Sequence, residues 1–380
     1  MVYLRHWLAG GALLLPLVVA VDPRLCQTGN EKLPESQFTL KEVEDSFLPE
    51  LSEIFVQTNS NVSVADVLDS ANRALVQKSP PLGNGHPVES WAWNSGDEAT
   101  SKWYPQGVTS SGDALAAGKW DGREAWIVTW YQKTGGKNVR LSFVDRDTHQ
   151  YRHVLLVEPS APDDFKPVGI HAGGIMWYGS ALYVVDTHGG LRVFDLNHIW
   201  KVADGDQVGK KSGGGYSAAN YRYVIPQIRK YDWKALQPDS TFSFSWVSLD
   251  RSDSPDTLLV GEYTKDDTNT PIRLVKYALD YQTRKLRTTN GVATATFAHC
   301  VDILRMQGGY SLGNKFYLGR SNGESKGSDL FVWSPGSSAT ARSQWLMAGS
   351  EDFSFNPSRG EWYTITEHPG KRYIVAYKKL

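Results

Sequence analysis

The chain has 380 residues with 40 basic and 41 acidic side chains, a formal charge of −1, and no basic run interleaved with aromatics, which argues against a nucleic-acid partner. Only two cysteines occur, so paired CxxC metal sites are excluded. The 14 Trp and 18 Tyr outnumber the 13 Phe, so most rings carry a polar atom that needs a partner when buried.

At the N-terminus, Arg5 and His6 precede an apolar run over residues 7–19 that closes on Val18, Val19 and Ala20. This order of charge, apolar core and small residue predicts a signal peptide over residues 1–20 and entry into the secretory pathway, ending outside the cell or in a vesicle lumen. The run is too short for a bilayer of roughly 30 Å, and no later stretch approaches the roughly 20 apolar residues of a spanning helix, so no membrane span is expected. In an oxidising compartment Cys26 and Cys300 are expected to form one disulfide, with two unrelated buried thiols as the alternative. Asn61, in Asn61-Val62-Ser63, is a glycosylation acceptor in that compartment.

Residues 21–87 read as an N-terminal arm, helical or irregular, with Leu40, Val43, Phe47 and Leu51 at helix-like spacing, followed by Val64, Val67 and Leu68. A stretch rich in Pro and Gly over residues 79–87 separates it from a domain over residues 88–380.

From Trp103 onward the periodicity changes to two, and five segments repeat one order of short strands. Their first strands are read at residues 106–109, 171–175, 244–247, 307–310 and 351–354, and their second at 124–131, 181–186, 257–263, 315–320 and 361–366. Third strands follow at 139–144, 191–196, 272–279, 329–333 and 372–377, and fourth strands at 151–157, 221–228, 292–297 and 344–347. The fifth repeat runs out at Leu380, and residues 88–93 are placed to supply its missing strand and close a ring. The prediction is an all-β protein, a β-propeller of five four-stranded blades. A sixth blade hidden in residues 200–245 and a β-sandwich with long loops remain the alternatives.

In a propeller the openings of the first strands meet at one mouth of the central channel. That geometry gathers Tyr104, Gln106, His171, Ser245, Trp246, Gln307, Glu351 and Asp352, and the turns after the second strands add Trp130, Tyr131, Tyr263, Arg320 and His368. Aromatic walls with a few convergent polar groups suit a small-molecule pocket. Gly107, Gly173, Gly174, Gly308 and Gly309 fit crowding of backbones near the axis. Other catalytic motifs are absent: no HExxH, EF-hand loop or Gly-x-Ser-x-Gly is present, and Ser212 to Gly215 lacks the context of a phosphate loop. Neither a cofactor nor a metal is expected from motifs, although Glu262, Glu351 and Asp352 are candidate ligands for one channel calcium ion.

The strings Trp103-Tyr104-Pro105-Gln106-Gly107, His171-Ala172-Gly173-Gly174-Ile175 and the closing run from Glu351 and Asp352 to Arg372 resemble secreted microbial propeller-like proteins. Among them the chain is similar to the fungal hetero-Diels–Alderases of tropolonic sesquiterpene biosynthesis over residues 93–380. The resemblance implies a cofactor-free [4+2] coupling of two small-molecule substrates, a tropolone-derived polyketide o-quinone methide and a humulene-type terpene. It supplies no catalytic residues, so roles follow from position. Gln106, His171, Gln307 and Arg320 are candidate donors to the quinone-methide carbonyl, and His171 or Glu351 could assist the loss of water that forms it. Tyr104, Trp130, Trp177, Trp246, Tyr263, Trp362 and His368 are candidate substrate contacts. A non-catalytic propeller that binds glycans or small molecules, and a calcium-dependent propeller hydrolase of the strictosidine synthase or paraoxonase type, are the competing readings.

Overall fold

The alternating segments form antiparallel strands that pair into five units around one axis. This is a computed structural model, and it describes residues 26, 28–135, 138–234, 242–264 and 272–380. The expected signal peptide lies outside them.

Blade one comprises Trp103–Ser110, Ala125–Gln132, Val139–Asp145 and Gln150–Ala161, paired in that order. Blade two comprises Ile175–Tyr178, Ala181–Asp186, Gly190–Asp195 and Tyr223–Trp233. Blade three comprises Phe244–Asp250, Thr257–Glu262, Ile272–Ala278 and Val292–Val301. Blade four comprises Met306–Leu312, Lys315–Arg320, Asp329–Trp333 and Thr340–Arg342. Its outer strand thus lies upstream of the expected residues 344–347, where Leu346 and Met347 instead fill the core between blades four and five. Blade five comprises Ser350–Asn356, Glu361–Thr366 and Tyr373–Lys378, and Glu89–Ala92 completes it by pairing with residues 373–376. Ring closure by the segment before blade one is therefore as the sequence predicts. Among the described residues, 200–245 hold no sixth blade: Val208–Lys210 and Tyr216–Ala218 form a small hairpin before the outer strand of blade two.

Five apolar clusters fill the five blade interfaces. Phe143 and Trp177 share the one between blades one and two, and Tyr183 and Leu258 the next. Trp246 and Phe316 lie between blades three and four, Tyr310 and Trp362 between four and five, and Trp126 and Tyr363 between five and one. Interfaces between twisted sheets widen away from the axis, and large rings fill that wedge.

The arm is stitched into the ring. Leu40 and Val43, expected at helical spacing, lie on the strand Thr39–Glu44, which pairs with the outer strands of both blade two and blade three. Two unsatisfied sheet edges override the helical pattern there. Downstream, the helices Leu48–Gln57 and Val64–Asp69 do form, and Ser63 and Asp66 build a capping box on the second. Cys26 and Cys300 form the expected disulfide, with Cα atoms 5.9 Å apart, tying the arm to the outer strand of blade three. No helix among the described residues is long and apolar enough to cross a membrane.

Candidate functional site

The axis is closed by one side chain. Asp352, at the start of blade five, accepts hydrogen bonds from the backbone N–H of Val108, Ile175 and Val247 at 3.1, 2.9 and 3.3 Å, which joins blades one, two and three to blade five. Its φ of +38° is unusual for a residue other than glycine, and these bonds hold it there. Blade four approaches equally closely: a Cβ on Gly308 would lie 2.8 Å from the Asp352 nitrogen. On Gly174 a Cβ would lie 2.7 Å from the Trp246 Cα, so the expected crowding of backbones is present. Asp352 is thus a staple of the ring.

Above the staple, the first-strand openings and second-strand turns of blades one, two and five form a mouth. The Tyr131 ring lies 5.9 Å from that of Tyr104 and 4.2 Å from that of His171. Gln106 Nε2 donates to Glu367 Oε2 at 3.0 Å, and the Arg372 guanidinium sits 4.8 Å from the Tyr104 ring. Glu351 is 2 % exposed, and its Oε1 has no hydrogen-bond partner among the described residues. Burial, and then the neighbouring Glu367 and Asp352, push the Glu351 carboxyl well above the usual carboxylate range. This environment favours the protonated acid, which has an O–H to donate. Burial also raises Tyr131 to about 12, so its hydroxyl remains a donor. His171 reaches solvent, yet the surrounding protein removes enough water to lower its pKa, which favours the neutral ring.

The other expected site residues divide. His368 joins the mouth, its Nδ1 3.8 Å from Glu367 Oε1 and its buried Nε2 without a partner among the described residues. Gln307 meets Ser245, which donates to its Oε1 at 3.3 Å. Tyr263 follows the second strand of blade three and is partly buried. Arg320 is committed to Asp329, with Nε 3.0 Å from Oδ2, and stacks 4.9 Å from Phe331, so it is not a free donor. Trp130, Trp177, Trp246 and Trp362 have no exposed surface and belong to blade interfaces, so they are core and not pocket walls. Glu262, weighed as a calcium ligand with Glu351 and Asp352, instead receives Nε and Nη2 of Arg273, both at 2.6 Å. The acceptor Asn61 is exposed, and its Nδ2 donates to the Asn197 carbonyl at 3.0 Å.

Sequence reasoning missed a second buried constellation. Trp130 Nε1 donates to Ser142 Oγ at 2.8 Å, Ser142 Oγ lies 3.0 Å from His153 Nδ1, and His153 Nε2 lies 3.0 Å from Asp97 Oδ2. The residue types are those of a nucleophilic triad, but Ser142 has no exposed surface and its oxygen already accepts from Trp130. Burial and the Arg140 charge lower His153 to about 3, so the ring is neutral. Burial opposes ionisation of Asp97, but bonds from His153 and Tyr151 and the charge of Arg140 outweigh it and hold the carboxyl well below its usual range. This row is a hydrogen-bond relay that locks the outer part of blade one to residue 97. Its members come from four separate segments, and no spacing rule signals them.

No protein-family model matches the chain, and no curated protein sequence matches it. Among solved structures it is similar to hydrazine synthase of Kuenenia stuttgartiensis, with 12 % identity and a TM-score of 0.33 over 74 % of this chain and 97 % of that one. It is also similar to a GH43_1 enzyme from Xanthomonas citri complexed with xylose, with 9 % identity and a TM-score of 0.36 over 84 % and 92 %. A third is the β-propeller domain of Cps50 (Swd1) from Myceliophteria thermophila, with 10 % identity and a TM-score of 0.32 over 67 % and 94 %. These likenesses carry no activity to this chain, and the propeller rests on its own strand pairing.

Proposed function

We propose that this protein is a secreted, cofactor-free hetero-Diels–Alderase that couples a tropolone-derived o-quinone methide to a humulene-type sesquiterpene at the mouth of the propeller. The observation that carries the reading is Glu351, a buried acid whose surroundings favour its protonated form and whose Oε1 is unpartnered among the described residues, near Tyr131, whose ring lies beside those of Tyr104 and His171.

The coupling forms one C–C and one C–O bond as the π electrons of the heterodiene and the alkene reorganise, and no atom is gained or lost. Such a step requires orientation, which removes up to about 7–11 kcal/mol of the barrier, and a donor to the carbonyl oxygen where negative charge grows. Glu351 supplies that donor in a site with little water, and Tyr131 is positioned to supply a second. Tyr104 and Tyr131 hold the planar quinone methide, and Arg372 behind Tyr104 fixes the ring that does so. Gln106 and Arg320 are committed to Glu367 and Asp329, which leaves Glu351, Tyr131, the neutral His171 and the Gln307 amide, whose oxygen alone is engaged by Ser245, as donors.

The test is to incubate the protein with a quinone-methide precursor and humulene, with and without chelator, and to follow product by mass and chirality. The reading expects a single enantiomer formed regardless of chelator, with the rate lowered about 100-fold in Glu351→Gln, the scale of removing one preorganised donor. Racemic product at the uncatalysed rate would sink it.

The neighbouring carboxyls of Glu351 and Glu367 favour a second reading, acid–base hydrolysis of a glycosidic bond with Glu351 as the acid. Release of nitrophenol from nitrophenyl glycosides, abolished by Glu351→Gln, would select it.

A further inference from the structure

The relay at Asp97 borders a pocket that the mouth does not use. It has a volume of about 260 Å³ and lies at the outer part of blade one, and Arg73, Arg140, Arg152 and Arg222 all line it, with Tyr221 and His153 among the remaining walls. We propose that this pocket binds a tetrahedral oxyanion, phosphate or sulfate, carried as a monoester.

Asp97 is the carboxylate bonded to this group: it takes Arg140 Nη2 at 2.8 Å and Arg73 Nε at 3.3 Å. Among the described residues neither Arg152 nor Arg222 has an ion-pair partner. Both guanidinium groups lie over the ring of Tyr223, at 5.6 and 5.7 Å, so they share one place at the pocket wall. Arg152 is further held by donation from Nη1 to the Ser70 carbonyl, which fixes one cation of the pocket lining in place. Burial, together with the like charges of Arg222 and Arg73, lowers the Arg152 pKa. His153 adds no charge, because burial keeps it neutral. Four guanidinium groups against one carboxylate leave three positive charges around one concavity. An anion with several oxygens relieves that repulsion and matches the planar forks of arginine, which favour phosphate-like geometry.

The volume exceeds that of the bare anion, which points to an ester with an organic group alongside. Tyr221 stands at the rim, its ring edge-on to Trp103 at 6.4 Å and its hydroxyl 3.5 Å from Arg140 Nη1, and offers a ring for that group to pack against. The nearby amide of Asn72 is held by Arg73 Nη1 at 2.9 Å, which leaves its N–H groups to reach a ligand oxygen. This site stands independently of the reaction proposed for the mouth.

The experiment is calorimetric titration of the full secreted protein in low salt with inorganic phosphate, inorganic sulfate, phenyl phosphate and phenyl sulfate. Saturable binding of an ester, tighter than that of the free ion and weakened by added chloride, is expected. Arg152→Gln and Arg222→Gln should each weaken it by about tenfold, the scale of one charge-assisted contact, while the remote Arg342→Gln should leave it unchanged. The phosphate and sulfate arms decide which oxyanion is preferred. Arg222 is exposed, so its variant is expected to fold even if the Arg152 variant does not. No binding in the millimolar range, or equal affinity of wild type and Arg222→Gln, would overturn the site, and equal affinity for free ion and ester would overturn the ester assignment.

Discussion

Two buried acids near the interface of blades five and one show how packing separates structure from chemistry. Asp97 receives donors from Arg140, Tyr151 and His153, so its charge is fully compensated and its carboxyl is held ionised. Glu351 lies as deep, but its neighbours are carboxyls, one oxygen has no partner among the described residues, and its carboxyl is pushed well above the usual range. A satisfied acid stabilises the fold. An unsatisfied one costs stability and persists where a ligand can complete it.

The largest effect is expected at the satisfied site. Asp97→Ala leaves Arg140 buried without its anion and should lower stability by about 3–5 kcal/mol, read by denaturant titration. The pH dependence follows from two depressed folded-state values. His153, lowered to about 3, withholds stability as pH falls below the ordinary histidine value near 6.5, and Asp97 does the same as pH falls below about 4. Wild-type stability should therefore decline on the acid side, and the Asp97→Ala variant should lose the lower part of that decline.

Next in size is Ser142→Ala, which strips the Trp130 N–H and His153 Nδ1 of a shared partner and should cost about 1–3 kcal/mol. If the row were a working nucleophile, this change would abolish activity under conditions where the protein remains folded. The relay reading expects full turnover there.

Glu351→Gln should reverse the pattern, with activity falling steeply while stability changes by about 1 kcal/mol or less, because the amide needs no ionisation penalty. Here the folded-state value is raised. The acid contributes stability that is present below the ordinary glutamate value near 4.3 and is lost as pH rises toward the elevated folded value. Thermal melts across pH should thus show a smaller loss of stability as pH rises above about 4.3 in Glu351→Gln than in wild type. Removing the Tyr131 hydroxyl as Tyr131→Phe is the smallest change: stability should hold within about 0.5 kcal/mol, and turnover should fall less than in Glu351→Gln.

Much of the architecture was legible from residues alone. Period-two alternation marked the strands, and the want of a fourth strand in the last repeat pointed to residues 88–93, which pair there as Glu89–Ala92. The arm was less legible, because Leu40 and Val43 fit a helix as well as a strand and only the open edges of blades two and three decide between them. At the mouth, position in the repeat brought Tyr104, Gln106, Tyr131, His171, Glu351 and His368 together, but it said nothing of which were already bonded. Arg320 was misread for that reason, since its partner Asp329 sits across the next hairpin. The tryptophans were misread because their exposure depends on the facing blade.

The sequence by itself determined the all-β class, the five repeats, their closure and the pairing of Cys26 with Cys300, since alternation, repeat count and cysteine number are properties of the chain taken in order. Only the tertiary structure decided that Trp130, Trp177, Trp246 and Trp362 are core, that Asp352 staples four blades, that Ser142, His153 and Asp97 form a closed relay, and that four arginines share one pocket. The physical reason is that burial and hydrogen-bond completion are set by groups far apart along the chain, and the ring must close before any of them meet.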